Sequence, residues 1–124
     1  MQFLWTTLSV TDYDKSLDFW TRVVGLSVQR TMTPPGMKIA FLGQGKNGGR
    51  GETQIELIWD SKKDHITVTK DLGIGFEVGD LDLEAQKLRS QGWEVRGPFQ
   101  PNPAIRFFYV SAPDGWQVQF VQNL

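Results

Sequence analysis

The sequence predicts an α+β protein made of two βαβββ modules that form a cupped mixed sheet, and three observations carry that expectation. Apolar periodicity alternates between strand-like and helix-like in the order β-α-β-β-β, and the order then returns. The halves register residue by residue, with Val10, Asp12 and Asp14 matching Val78, Asp80 and Asp82. The stretch QIELI at residues 54–58 is echoed by QVQFV at residues 117–121, with Glu56 answered by Gln119. A repeat of this kind sets the architecture before any motif is weighed.

Residues 3–10 are rich in β-branched and aromatic types, so they read as the first strand, ending at Thr11-Asp12. Tyr13, Leu17, Trp20 and Val24 then recur at three- and four-residue steps, which predicts a helix capped by Asp12 and closed by Gly25. Strands follow over residues 26–30, 37–42 and 53–59, split by Thr33-Pro34-Pro35-Gly36 and by the glycine-rich Gly43 to Gly51. A polar linker over residues 60–71 leads to a strand at 73–78 and to a helix capped by Asp80, bearing Leu81, Ala85 and Leu88 and closed by Gly92. Residues 93–96, 105–110 and 116–121 supply the last strands, the final two joined by the turn residues Ala112-Pro113-Asp114-Gly115. The modules occupy about residues 1–60 and 72–124 of a single domain, the count that a 124-residue length favours.

Composition excludes several classes. A net charge of -1 gives no electrostatic footprint for nucleic acid or an anionic membrane. The pair Lys62-Lys63 is followed at once by Asp64 and reads as a solvated loop. With no cysteine there is neither a disulfide framework nor a thiolate ligand or nucleophile. The start MQFLWTTLSV lacks the flanks of a signal peptide, and no run approaches the roughly 18 apolar residues of a membrane span, so a cytoplasmic location is expected. The stretch GQGKNGGRGE joins two strands rather than a strand and a helix, so it reads as a mobile hairpin loop and not a phosphate cradle.

One helix covers only one face of a four-stranded sheet, so the other faces must meet or line a cavity. Alternation then supplies the inward residues. If Leu8 and Val10 pack under the first helix, Trp5, Thr7 and Ser9 point into the cup, as do Gln54, Glu56 and Ile58. In the second half Gly73, Gly75 and Glu77 point inward. Pairing the last hairpin across its turn sets Arg106, Phe108 and Val110 beside Val121, Gln119 and Gln117 on the same wall. Trp20, Trp59, Trp93, Phe76 and Phe107 are expected to pack in the core, whereas Trp5 and Phe108 can stack on a ligand. Gly73 and Gly75 either open volume for a ligand or mark a twist or bulge.

The run SVTDYDKSLDFWTRVVGLSVQR resembles the opening of the glyoxalase I, bleomycin-resistance and extradiol-dioxygenase group, the vicinal oxygen chelate superfamily, and PDGWQVQFVQ resembles its closing strand. The likeness covers nearly the whole chain and implies paired βαβββ modules, a small-molecule ligand and a homodimer. In metal-using members four ligands come from the first and fourth strands of each module. Carried over by matching sequence, these positions fall on Trp5, Glu56, Gly73 and Gln119, where the family pattern has His, a carboxylate, His and a carboxylate. Only Glu56 keeps the family residue. Zinc, nickel or iron sites draw on imidazole or thiolate, and the chain has no cysteine and one histidine, His65, in the linker. No metal and no other cofactor is therefore expected.

An inward carboxylate must be paired, hydrated or protonated, and Arg106 is the partner that sequence offers for Glu56. Three roles stay open for Glu56: catalytic general base, hydrogen-bond acceptor for a ligand, or structural residue. The reading is a metal-independent binder of a small organic molecule, with Trp5, Thr7, Gln54, Glu56, Gly75, Glu77, Arg106, Phe108, Gln117 and Gln119 around it. The alternative is a lyase or isomerase of the same superfamily with Glu56 as base, and a ligand-sensing regulatory domain is a third class.

Overall fold

Polar caps and left-handed glycines delimit the helices, and strand ladders do the rest. The computed structural model describes residues 1–45 and 50–124, which fall into two compact units, Met1–Thr67 and Val68–Leu124. In the first unit β1 (Trp5–Ser9) leads to α1 (Tyr13–Asp18), which continues as a π-helical turn, Phe19–Val23. Three strands follow: β2 (Ser27–Met32), β3 (Met37–Gly43) and β4 (Gln54–Asp60). They pair in the order β1-β4-β3-β2, with β1 and β4 parallel and the other pairs antiparallel. The second unit repeats the plan with β5 (Gly73–Glu77), α2 (Leu81–Ser90), β6 (Arg96–Asn102), β7 (Ile105–Ser111) and β8 (Gln117–Asn123). Its order is β5-β8-β7-β6, again with one parallel pair, β5 with β8. Each unit is therefore the βαβββ module that the sequence predicts.

The Asp12 carboxylate accepts from Lys15 N at 3.0 Å, and Asp80 accepts from Leu83 N at 3.1 Å, satisfying amides that a helix start leaves open. The chain leaves each helix through a glycine in the left-handed region, Gly25 (φ 91°) and Gly92 (φ 90°). Of the expected stripe Tyr13, Leu17, Trp20 and Val24, only Trp20 is fully buried, and it is joined by Ser16 and Phe19. The cause is the π turn, in which Val24 N donates to Phe19 O at 3.2 Å, five residues back. The widened turn brings two neighbouring aromatics inward, and their rings meet edge-on at 5.4 Å.

The core of the first unit is Leu8, Val10, Ala40, Leu42, Ile55 and Leu57 with Phe19 and Trp20, all buried. That of the second is Phe108, Val110, Val118 and Phe120 with Leu81, Ala85 and Leu88. Each large apolar side chain buried in this way contributes about 1.5–3 kcal/mol. The second strand of the second half, β6, corrects an expectation, since it runs Arg96–Asn102 rather than over residues 93–96. Gly97 and Pro98 read as breakers but sit inside an edge strand at a register shift, a place where the ladder tolerates proline. The glycine-rich loop expected between β3 and β4 lies partly outside the described residues, at 46–49. No described helix is long and apolar enough to cross a membrane.

Candidate functional site

On the face of the first sheet that α1 leaves uncovered, one row of side chains crosses all four strands. Thr7 lies opposite Glu56, Glu56 opposite Phe41, and Phe41 opposite Arg30. Thr7 Oγ1 donates to Glu56 Oε1 at 2.6 Å, the short distance of a charge-assisted bond, and the Glu56 side chain is buried, with the residue 8% exposed. The Phe41 ring is buried beneath two neighbours. The Arg30 guanidinium lies 4.2 Å from its centroid, and the Trp5 indole meets it edge-on at 5.0 Å. Gln54 stands opposite Trp5 in the adjoining row. Nearby, the Glu52 carboxylate accepts from Gln44 N at 3.2 Å and Gly45 N at 3.1 Å, and a Cβ on Gly43 would lie 2.0 Å from Glu52 Oε1.

The position of Arg30 depends on an irregularity in β2. Val28 pairs with Leu42, yet Arg30, two residues on, pairs with Phe41, one residue back, so Gln29 is the extra residue of a bulge. A regular ladder would set Gln29 opposite Phe41 and turn Arg30 to the helix side.

The second sheet carries the matching row, with Gly75 opposite Gln119, Gln119 opposite Tyr109, and Tyr109 opposite Arg96. Gln119 Nε2 donates to the Tyr109 hydroxyl at 3.3 Å, and a Cβ on Gly75 would come within 3.4 Å of Gln119 Oε1. Gln117, buried, donates to Ser111 Oγ at 3.0 Å and Gly115 O at 2.9 Å and accepts from Arg96 Nη2. Arg96 Nη1 donates to the same Ser111 hydroxyl at 3.1 Å. Glu77 accepts from Asn123 Nδ2. Phe99, Phe107 and Tyr109 form an aromatic cluster with centroids 5.7 to 6.5 Å apart.

Two expected site residues stand elsewhere. Phe108 pairs with Phe120, and Arg106 with Gln122, so both point to the α2 side. Phe108 is fully buried, and Arg106 forms a bidentate pair with Asp82 of α2 at 2.9 and 3.1 Å. The guanidinium thus has Asp82, not Glu56, as its carboxylate partner, and it holds the Asp82 pKa below the ordinary carboxylate range through those hydrogen bonds. The expected pairing was one residue out, and a one-residue slip exchanges the faces of a whole strand. Phe107 and Tyr109 occupy the open face instead, so Phe107 leaves its expected core position. Arg30, Phe41, Arg96 and Tyr109 were missed. Carrying the internal repeat through the second and third strands of each half would have aligned Arg30 with Arg96 and Phe41 with Tyr109.

The four positions at which the family resemblance implies metal ligands were tested against these side chains. Trp5 presents an indole packed on Phe41, Glu56 a carboxylate bonded by Thr7, Gly73 no side chain, and Gln119 an amide bonded to Tyr109. His65 is exposed in the linker. Among the described residues no three His, Asp or Glu side chains gather closely enough to hold an ion. One carboxylate and one neutral amide do not make the nitrogen-rich set that a transition metal takes, so the residues present do not fit the family metal.

Comparison with known proteins agrees with the repeat and the topology. The sequence pattern of the glyoxalase/bleomycin resistance protein/dioxygenase superfamily matches residues 2–120. The lactoylglutathione lyase of Haemophilus influenzae is 31% identical over 99% of this chain and 93% of its own length. A probable lactoylglutathione lyase of Synechocystis is 30% identical over 99% of this chain and 96% of its own. Among solved structures, the trypanothione-dependent glyoxalase I of Leishmania major superposes with a TM-score of 0.83 at 22% identity, covering 98% of this chain and 86% of that one. An antibiotic-binding protein from Streptomyces superposes at 0.74 and 18% identity, covering 100% and 97%. The chain therefore belongs to the glyoxalase/bleomycin resistance protein/dioxygenase superfamily.

Proposed function

We propose that the chain binds a small organic molecule on its open sheet faces without the metal that family members use. The observation that carries this reading is the Thr7–Glu56 pair: a buried carboxylate held by a neutral hydroxyl at 2.6 Å, in a row with aromatic and cationic neighbours. Such a group accepts hydrogen bonds from a ligand, and the Trp5 indole supplies apolar contact beside it. Gln54 flanks the same face of the first unit. On the second unit Gln119 and Glu77 present an amide and a carboxylate to the corresponding face, Gly75 leaves space beside Gln119, and the buried Gln117 backs them through Arg96 and Ser111. The test is a thermal-shift screen of antibiotics and small carbonyl compounds, because a ligand specific for the folded state raises the melting temperature. Hits whose effect is lost in Glu56→Ala support the reading. A stoichiometric transition metal in protein purified without chelator, absent from the same variant, overturns it.

The names of the relatives favour a second reading, a lyase or isomerase with Glu56 as general base. Lactoylglutathione formation by metal-stripped protein, abolished in Glu56→Gln with ligand affinity retained, selects that reading. Binding without turnover selects the first. The ligand-binding reading also carries a homodimer, which a sedimentation mass of a single chain would refute.

A further inference from the structure

We propose that Arg30, seated on the Phe41 ring, is an anion receptor, and that the small molecule taken by the first unit is an organic acid whose carboxylate pairs with it. The inference rests on the ligand-binding reading above and adds a chemical class to it. Three features support it. The bulge at Gln29 turns Arg30 onto the open face, where an unbulged β2 would have placed a glutamine. Bulges recur at sites where a side chain must be re-aimed, and this one sits on an edge strand where a ligand can approach.

The Phe41 ring is 2% exposed, so it has little surface left for a ligand. It serves as a pedestal. A guanidinium held over an aromatic face by cation–π attraction keeps its N–H donors in its own plane, directed outward as the fork that matches a carboxylate. Holding that fork in place before binding removes part of the ordering cost that makes exposed ion pairs weak.

Among the described residues no carboxylate lies within ion-pair distance of Arg30, whereas Arg22 pairs with Asp18 at 2.8 Å and Arg106 with Asp82 at 2.9 Å. Arg96, its counterpart in the second unit, donates to Ser111 and Gln117. The first unit therefore keeps for a ligand a fork that the second has committed to its own side chains. Trp5, 38% exposed on another side of Phe41, supplies apolar surface for the body of the acid. Glu56 stands two strands from Arg30, about 10 Å by strand spacing, and its charge favours a molecule with a hydrogen-bond donor at the end opposite its carboxylate.

Benzoate and benzamide make a matched pair of probes with one ring and a charged or neutral head. Titrations followed by NMR read both affinity and the Arg30 Nε–Hε resonance. Benzoate is expected to bind at least about fivefold more tightly than benzamide and to shift that resonance. Arg30→Gln should erase the preference while benzamide binding persists. Arg30→Lys should retain part of it, since the charge stays and the fork is lost. Phe41→Leu, which keeps an apolar core, should weaken benzoate alone. Equal affinities overturn the anion receptor and leave ligand binding standing. A benzoate preference that survives Arg30→Gln also overturns it, because the anion then sits elsewhere. Failure of wild-type protein to bind either probe overturns the proposed class, while the thermal-shift screen decides the ligand-binding reading separately.

Discussion

Phe108 lies flat against Phe120, with ring centroids 5.0 Å apart and planes 22° apart, on the α2 side of the second sheet. Both rings are buried, and Val110 and Val118 form the next cross-strand pair on the same face. Phe108→Ala should therefore cost about 3–5 kcal/mol in urea unfolding, the cost of a cavity in a packed core. Phe107→Ala, on the opposite face, should cost clearly less. Equal losses for the two variants would contradict the observed register.

Asp82 and Arg106 form a pair whose contribution depends on pH. The hydrogen bonds from Arg106 lower the folded-state pKa of Asp82, while the unfolded value is about 3.9. The contribution is thus fully present above the unfolded value and is lost as pH falls through the depressed folded one. Asp82→Asn should melt slightly below wild type at neutral pH, and the gap should close in strong acid and shrink in high salt. A gap that is constant from neutral pH to strong acid would show that the pair is not its source.

The Thr7 hydroxyl is the donor that the structure gives to Glu56. Thr7→Val keeps the shape and removes the donor, so it should cost about 1.5–3 kcal/mol, the range for a hydrogen bond to a charged group. Thr7→Ser should restore most of that loss. Chemical denaturation of the two variants checks this, and unchanged stability in Thr7→Val would mean that Glu56 is satisfied by other means.

Gly43 leaves room for a carboxylate. A methyl group there would lie 2.0 Å from Glu52 Oε1 and would displace the side chain from the amides of Gln44 and Gly45. The carboxylate is the far end of a flexible side chain and its bonds are exposed, so Gly43→Ala should cost no more than about 1 kcal/mol through those hydrogen bonds. In a Glu52→Ala background the same substitution should cost little, and a double-mutant cycle measures the difference.

Strand faces were legible in sequence wherever one face was plainly apolar. Leu8 with Val10, Ile55 with Leu57, and Val118 with Phe120 set the parity of β1, β4 and β8. In β7 the run Phe107, Phe108, Tyr109 puts aromatics on both faces, so alternation carries no parity and only the turn sets the register. That turn holds a 3-10 segment, Pro113–Gly115, with Asp114 at φ 69°, and Ser111 rather than Val110 meets Gln117. Arg106 and Phe108 were misplaced for that reason. Arg30 was missed for another, because the extra residue of a bulge leaves no mark on composition. The caps, by contrast, are local chemistry, and Asp12 and Asp80 were readable from their own neighbourhoods.

The bulge at Gln29 has a consequence for solubility. β2 is an edge strand, and Val28 and Met32 are exposed along it. A straight, apolar edge is a template on which another chain can add a strand. The extra residue puts the outward N–H and C=O groups out of step, so no regular strand can dock along the full edge. Deleting Gln29 would leave Arg30 opposite Phe41 in an unbroken ladder and would remove that defence, turning a protected edge into a seed for aggregation.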